Sequence, residues 1–265
     1  MRLLLHEYFH EHESPVDPNR LRYGAFAKRR EWIDDWLGIE SSDLAPETLD
    51  SYRPLLHRVF AQNCSDNPCI VKTHEKFRRL PNGEAIFPPE CTAGVLLVVR
   101  NPLAIVPSLA SQLGLSIDLV IDFLNDSQAI LGEDKGSFWL SLPEPLGSWS
   151  EHTRSWLDSG LRVQIVKYED LHRDPTSVLA SVVQILKGDP DGAGLSRAVS
   201  SSRFERLAKW EERFGFSGGV PGGGPFFRSG KLEEWRETLN RDQISRVVSQ
   251  HREMMIELGY ENEYF

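Results

Sequence analysis

The chain has 265 residues, 40% hydrophobic and 26% charged, ordinary values for a globular protein large enough for one sizeable core or two small ones. Its formal net charge of −9 argues against broad binding to nucleic acid or to an anionic membrane surface, and no apolar run approaches the length of a membrane span. Cys64, Cys69 and Cys91 lack zinc-ligand spacing and point to a reducing compartment, and the Leu3-Leu4-Leu5 run is too short for a signal peptide, so the reading is a cytoplasmic protein.

In chain order, residues 2–10 predict a helix that buries Leu4, Leu5 and either Tyr8 or Phe9. Pro15 and Pro18 break the chain. Residues 25–37 place Phe26, Trp32, Ile33, Trp36 and Leu37 at helical spacing, with Gly38 as the C-cap. Another helix is predicted over 48–60. A short apolar strand, Cys69-Ile70-Val71, then runs into Lys72-Thr73-His74, and a Pro/Asn/Gly loop covers 80–90. Leu96-Leu97-Val98-Val99 reads as a buried strand ending in Arg100. Asn101 and Pro102 then suit the N-cap and first position of a helix, which Pro107 should kink.

Residues 116–131 predict an apolar helix and 147–157 an amphipathic one anchored by Trp149, Trp156 and Leu157. Val163-Gln164-Ile165-Val166 is a further strand leading into Tyr168. A helix over 175–186 carries Val178, Leu179, Val182, Val183 and Leu186 at core spacing. Five glycines within 217–224, followed by Phe226, Phe227 and Arg228, suggest a mobile lid in preference to a linker. Residues 231–258 return to helix. Strands alternating with helices predict an α/β fold, a parallel sheet flanked by helices on both faces, in a single domain spanning 1–265. The strands bearing Lys72, Arg100 and Val166 should be neighbours in that sheet.

Two strand ends carry the chemistry. Arg100 stands at a strand-to-helix junction, where free backbone N–H groups, the positive end of the helix dipole and a guanidinium converge to make an anion site. Ser108, eight residues on, adds a donor if the anion lies along the helix side. The plain alternative is an arginine paired with a nearby carboxylate. Lys72 and His74 leave the other strand end on one face by period-two alternation. A cation and an imidazole there make His74 a candidate general base.

With these residues in view, the chain resembles the sulfotransferases that use 3′-phosphoadenosine 5′-phosphosulfate (PAPS), and most closely their soluble, cytosolic-type and bacterial small-molecule branch. The Lys72-Thr73-His74 strand matches that family's motif. So do Arg100 with Ser108, Gly147-Ser148-Trp149 with His152 and Trp156, Tyr168-Glu169-Asp170-Leu171 with Asp174-Pro175, and Arg228-Ser229-Gly230 ahead of Trp235. The five occur in the family's order over about residues 68–240.

The resemblance implies a P-loop-NTPase-like parallel sheet. It implies transfer of a sulfuryl group from PAPS to a hydroxyl or amine of a small-molecule acceptor, with PAPS as co-substrate and no metal. His74 would take the acceptor's proton, and Lys72 would stabilise charge on the bridging oxygen as its bond breaks. Arg100, Ser108, Arg228 and Ser229 would hold the 3′-phosphate, with Gly230 giving a backbone N–H at close approach. Tyr168 and Phe204 would contact the adenine, and His152 would belong to the acceptor pocket. Trp149 and Trp156 read as core, and Glu169 and Asp170 as caps or structural groups. No nucleic-acid or membrane partner is implied; self-association as a homodimer is left open.

One departure is severe. The family's Pro-Lys-Ser-Gly-Thr-Thr-Trp type loop has no counterpart near the N-terminus, where Gly24 is the first glycine. The expectation is that the first strand and the phosphosulfate loop lie upstream of Met1, and that this 265-residue form is a poor or inactive sulfotransferase. The alternative reading is a catalytically impaired, truncated or pseudoenzyme module that binds adenosine 3′,5′-bisphosphate. A small-molecule kinase would need the same kind of Gly-Lys-Ser/Thr loop and is disfavoured.

Overall fold

The structure is a computed structural model that describes residues 1–10, 17–21, 25–26, 29–65, 67–132, 142–216, 218 and 223–260. The glycine segment expected to form a lid lies mostly outside the described residues. In chain order the elements are α1 (Arg2–Phe9), β1 (Ala25–Phe26), α2 (Arg30–Leu37), α3 (Pro46–Asn63), β2 (Val71–Lys72), β3 (Val95–Val99), α4 (Pro102–Leu113), α5 (Ile117–Asn125), β4 (Ile130–Leu131), β5 (Glu144–Pro145), α6 (Trp149–Leu157), β6 (Val163–Lys167), α7 (Tyr168–Arg173), α8 (Pro175–Leu186), α9 (Gly192–Ser201), α10 (Phe204–Phe214), α11 (Trp235–Thr238) and α12 (Arg241–Glu257). None of these helices is long and apolar enough to cross a membrane by itself.

The strands pair as β1 with β2 in parallel, β3 with β6, and β4 with β5 antiparallel. The Arg100 and Val166 strands are therefore neighbours, as expected. The Lys72 strand is not hydrogen-bonded to β3 among the described residues; its partner is Ala25–Phe26, in a segment expected to be helical. Two-residue strands carry too little alternation to be read, and the aromatic spacing of α2 extends by chance across β1. Within β3, Leu97 and Val99 are buried while Val98 is 50% exposed, so burial covers only one side of that strand end.

Two compact units emerge. The first comprises Met1–Tyr23, Val98–Phe123 and Val166–Phe265. In it α1 packs on α9, α8 on α7 and α9, and α4 on α11 and α12. Helix α1 buries Leu4 and Leu5 as expected, but His6 and Glu7 join them in place of Tyr8 or Phe9. Tyr8 is held at the rim, where its hydroxyl accepts the Asp191 N–H at 2.8 Å. Asp191 also caps α9, accepting from the Ala193 and Gly194 N–H groups. Helix α8 buries Leu179, Val182 and Val183.

The second unit comprises Gly24–Leu97 and Leu124–Ile165. Its core gathers Ile33, Leu49, Leu56 and Leu142, with Trp32, Trp36 and Leu37 packed against it. Gly38 ends α2 at φ 65°, the left-handed C-cap its position predicts. Helix α6 opens on a capping box: Ser148 Oγ accepts from the Glu151 N–H, and the Glu151 carboxylate accepts from the Ser148 N–H. Trp149 and Trp156 are core residues, as read. Cys64 and Cys69 form a disulfide and Cys91 is free, whereas the cysteine usage had pointed to reduced thiols.

A titratable group is enclosed in this unit. His57 is 5% exposed, its ring lies 4.5 Å from that of Phe87, and its Nε2 has no hydrogen-bond partner among the described residues. Burial, and secondly the Arg53 guanidinium one turn away, push its imidazole down to about 3. Above pH ~6.5 the ring is neutral in both states and pH has no leverage through it. Below that, the unfolded chain takes up a proton that the folded chain refuses, so stability falls as pH drops toward about 3. His57→Leu should therefore lose less stability than the wild type between pH 7 and about 4.5. Urea midpoints at the two pH values measure this, and equal losses in both proteins would count against it.

Candidate functional site

In the first unit, strand β3 delivers Arg100 to a junction that is braced on both sides. Asn101 caps α4 through Oδ1, which accepts from the Leu103 N–H at 3.0 Å. The Asn101 N–H donates to Glu169 Oε1 at 3.0 Å, and Tyr260 Oη donates to Glu169 Oε2 at 3.0 Å. Glu169 is thus the structural group expected, a buried carboxylate that ties the start of α7 to the start of α4.

The Arg100 guanidinium lies 4.4 Å from the centroid of the Tyr168 ring, a cation–π contact. One Nη reaches the Lys231 carbonyl at 3.4 Å. Its Nε is buried and lacks a hydrogen-bond partner among the described residues. A donor left in that state costs free energy unless a ligand supplies the acceptor.

The Arg228-Ser229-Gly230 segment borders this point through Lys231. Gly230 has φ +63°, and a Cβ there would come within 3.1 Å of the Phe204 ring. Both the backbone conformation and the close approach demand glycine. Phe204 therefore packs over Gly230 at the start of α10. Arg228 Nη2 and Ser229 Oγ both donate to Glu234 Oε2, at 2.6 and 2.9 Å. Burial alone would raise the Glu234 carboxyl, but Arg228 and Ser229 together hold it below the usual carboxylate range. Glu234 is a ligand of this corner that the sequence did not single out. Ser108 lies half-buried within α4. An open cleft of about 510 Å³ is lined by Arg203, Glu205, Arg206 and Lys209, and none of the predicted site residues lines it.

In the second unit, residues 73–77 are pinned from two elements. The His74 N–H donates to Glu144 Oε1 at 2.8 Å, and His74 Nδ1 lies 2.9 Å from Glu144 Oε2. The Lys76 N–H donates to the Pro145 carbonyl at 2.9 Å, so β5 holds this stretch along one side. From α6, His152 Nε2 donates to the His74 carbonyl at 3.0 Å, Trp156 Nε1 to the Glu75 carbonyl at 3.0 Å, and Ser155 Oγ accepts from the Phe77 N–H at 2.9 Å. Glu75 is fully buried and is held by the equally buried Arg53 through two parallel contacts, one of them Nη1 to Oε2 at 3.0 Å. Burial alone would lower the Arg53 guanidinium, but Glu75 and then Asp50 hold it above its ordinary range.

His74 itself keeps its side chain 35% exposed, against 1% for Glu144. The ring meets the Glu144 carboxylate through Nδ1. Lys72 is half-buried at the end of β2. His152 differs from its expected place: the Nε2 that an acceptor would meet is committed to the His74 carbonyl, and burial lowers its imidazole. It supports the His74 turn from behind. The predicted residues therefore form two groups. Arg100, Tyr168, Phe204, Arg228, Ser229 and Gly230 belong to the first unit with Ser108, and Lys72, His74 and His152 belong to the second.

The sulfotransferase domain family matches residues 5–259. A sulfotransferase 1C2 from Oryctolagus cuniculus is 27% identical over 117 residues, 41% of this chain and 39% of that protein; the match thus spans well under half of the relative's length. Among solved structures, a retinol dehydratase in complex with androsterone and the inactive cofactor PAP has a TM-score of 0.53 at 15% identity, covering 85% of this chain and 66% of the other. A mouse sulfotransferase SULT7A1 complexed with PAP has a TM-score of 0.50 at 16% identity, covering 74% and 70%. The fold is that of these solved structures.

Proposed function

The chain belongs to the sulfotransferase domain family, and from that premise we propose that it transfers a sulfuryl group from PAPS to a hydroxyl or amine of a small, partly apolar acceptor. The observation that carries the reading is the Arg100 corner. A guanidinium over the Tyr168 ring, with a buried Nε that lacks a partner among the described residues, stands beside a glycine turn where a Cβ would crowd the Phe204 ring. A nucleotide phosphate fits that chemistry: it supplies the missing acceptor to Nε and an anion to the end of α4. The relatives' structures with PAP support this choice of ligand.

When bound, PAPS supplies the sulfuryl group and a phosphate leaving group. Arg100 holds the 3′-phosphate in a bidentate grip for which lysine lacks the geometry. Ser108 adds a hydroxyl donor, and Arg228 and Ser229 turn from Glu234 to the phosphate. Tyr168 and Phe204 receive the adenine. His74 takes the proton of the acceptor as its oxygen attacks, and Lys72 stabilises the charge gathering on the bridging oxygen. A sulfuryl group carries less charge than a phosphoryl group, so these cations suffice for the role that metals play in phosphoryl transfer.

The test is transfer of labelled sulfate from PAPS to a panel of phenols, alcohols and amines by the full chain. Time-dependent transfer supports the reading. Nucleotide binding without transfer to any acceptor would instead favour a module that only binds adenosine 3′,5′-bisphosphate.

A further inference from the structure

We infer that Glu144 is a positioning residue: it fixes the neutral His74 ring in the Nδ1–H tautomer and so leaves Nε2 as the atom that accepts a proton. This deepens the reading of His74 as general base and rests on it. Glu144 Oε1 accepts the His74 backbone N–H at 2.8 Å, and Oε2 faces His74 Nδ1 at 2.9 Å. An ionised carboxylate has no proton to give, so the ring nitrogen facing it must be the donor. The other nitrogen, Nε2, then carries the lone pair. It lies on a side chain that is 35% exposed, whereas Glu144 is 1% exposed.

The carboxylate is itself fixed. Glu144 forms β5 with Pro145, whose carbonyl accepts the Lys76 N–H, and the Thr73 hydroxyl lies 3.3 Å from Oε1. His152, on α6, holds the His74 carbonyl. The ring thus has one orientation and one tautomer before any acceptor arrives. As the acceptor oxygen gives a lone pair to the sulfur to form the new O–S bond, its O–H bond breaks, the bonding pair staying on that oxygen and the proton going to Nε2. The S–O bond to the leaving phosphate breaks with that phosphate taking the charge. The imidazolium formed keeps Nδ1–H on Oε2, now as a charge-assisted bond.

Glu144→Gln turns this geometry against the site. The backbone N–H of His74 is an obligatory donor and claims the one amide oxygen. The amide NH₂ must then face Nδ1, which becomes an acceptor, and the ring proton moves to Nε2. The wrong tautomer is produced without removing the side chain. In the Ser-His-Asp triad the corresponding Asp-to-Asn change costs about 10⁴-fold in kcat.

The experiment uses the full chain with ¹³C/¹⁵N-labelled histidine. The His74 signals are identified by their loss in His74→Asn, and long-range ¹H–¹⁵N correlation reads the tautomer. The wild type should show Nδ1–H, Glu144→Gln should show Nε2–H, and Glu144→Asp should retain Nδ1–H. In the transfer assay Glu144→Gln should lower kcat at least about 100-fold with an unchanged KM for PAPS, and Glu144→Asp should recover part of it. Nε2–H in the wild type, or the same tautomer in wild type and Glu144→Gln, overturns the inference and leaves the assignment of His74 as base standing. A flipped tautomer with unchanged kcat also overturns it. If His74→Ala retains full turnover, the base assignment fails, and the tautomer spectra still decide whether Glu144 orients the ring.

Discussion

In a preparation that transfers sulfate, replacing His74 by alanine should lower kcat for sulfuryl transfer by roughly 10²–10⁴, equivalent to about 3–5 kcal/mol of barrier, while affinity for adenosine 3′,5′-bisphosphate stays within about twofold. The split follows from where the groups belong. His74 sits in the second unit, on a turn held by Glu144 and His152. Arg100, Tyr168, Phe204 and Arg228, which would hold the nucleotide, belong to the first. Removing an imidazole takes away a proton acceptor that acts on the acceptor molecule and leaves every phosphate donor in place. Labelled-sulfate transfer and calorimetry on the same preparation measure the two quantities separately. Full turnover in His74→Ala would refute the assigned base. A large loss of nucleotide affinity would show that the ring contributes to binding instead.

The second large effect is on stability. Arg53→Leu should destabilise the chain by about 3–5 kcal/mol, because it leaves the Glu75 carboxylate buried without its main partner. Both side chains are fully buried and meet through two contacts. Arg78 stays 3.4 Å from Glu75, a weaker substitute that is already engaged by Asp50. The effect should also reach function, since Glu75 follows His74 directly and its carbonyl receives Trp156 Nε1. A double change, Arg53→Met with Glu75→Gln, should recover much of the stability by removing both charges. Urea unfolding of the wild type and the two variants tests this; a loss below about 1 kcal/mol in Arg53→Leu would show that the pair is solvated or readily replaced.

These two groups mark how far the residues could be read in advance. The β3–α4 junction was legible because every signal there is local. A branched apolar run, then Asn101 as a cap and Pro102 at the first helical position give a strand over Val95–Val99 and a helix from Pro102. Helix α6 was legible for the same reason, through Trp149, Trp156 and Leu157 at amphipathic spacing; the Ser148 cap came only with the structure. Glu144 was not. It sits in a two-residue strand beside a proline, and its partner is 70 residues earlier in the chain. The Arg53–Glu75 pair was equally hidden, since a charged residue in an amphipathic helix normally reads as solvated. His152 was found by its motif, but no motif says that its ring is spent on a backbone carbonyl. The helix expected over 116–131 ends at Asn125, where the chain turns toward β4; the apolar residues beyond it belong to a strand too short to show alternation.

Titration calorimetry with adenosine 3′,5′-bisphosphate and with AMP, on the wild type and on Arg100→Ala, tests most directly the claim that the Arg100 corner receives a 3′-phosphate. The account predicts tighter binding of the bisphosphate to the wild type. It also predicts that Arg100→Ala lowers that affinity about 10- to 150-fold, the loss of one charge-assisted contact of roughly 1.5–3 kcal/mol, and brings the two ligands close together. Equal affinity of the wild type for the two ligands, or an Arg100→Ala variant that binds the bisphosphate as well as the wild type does, would contradict it.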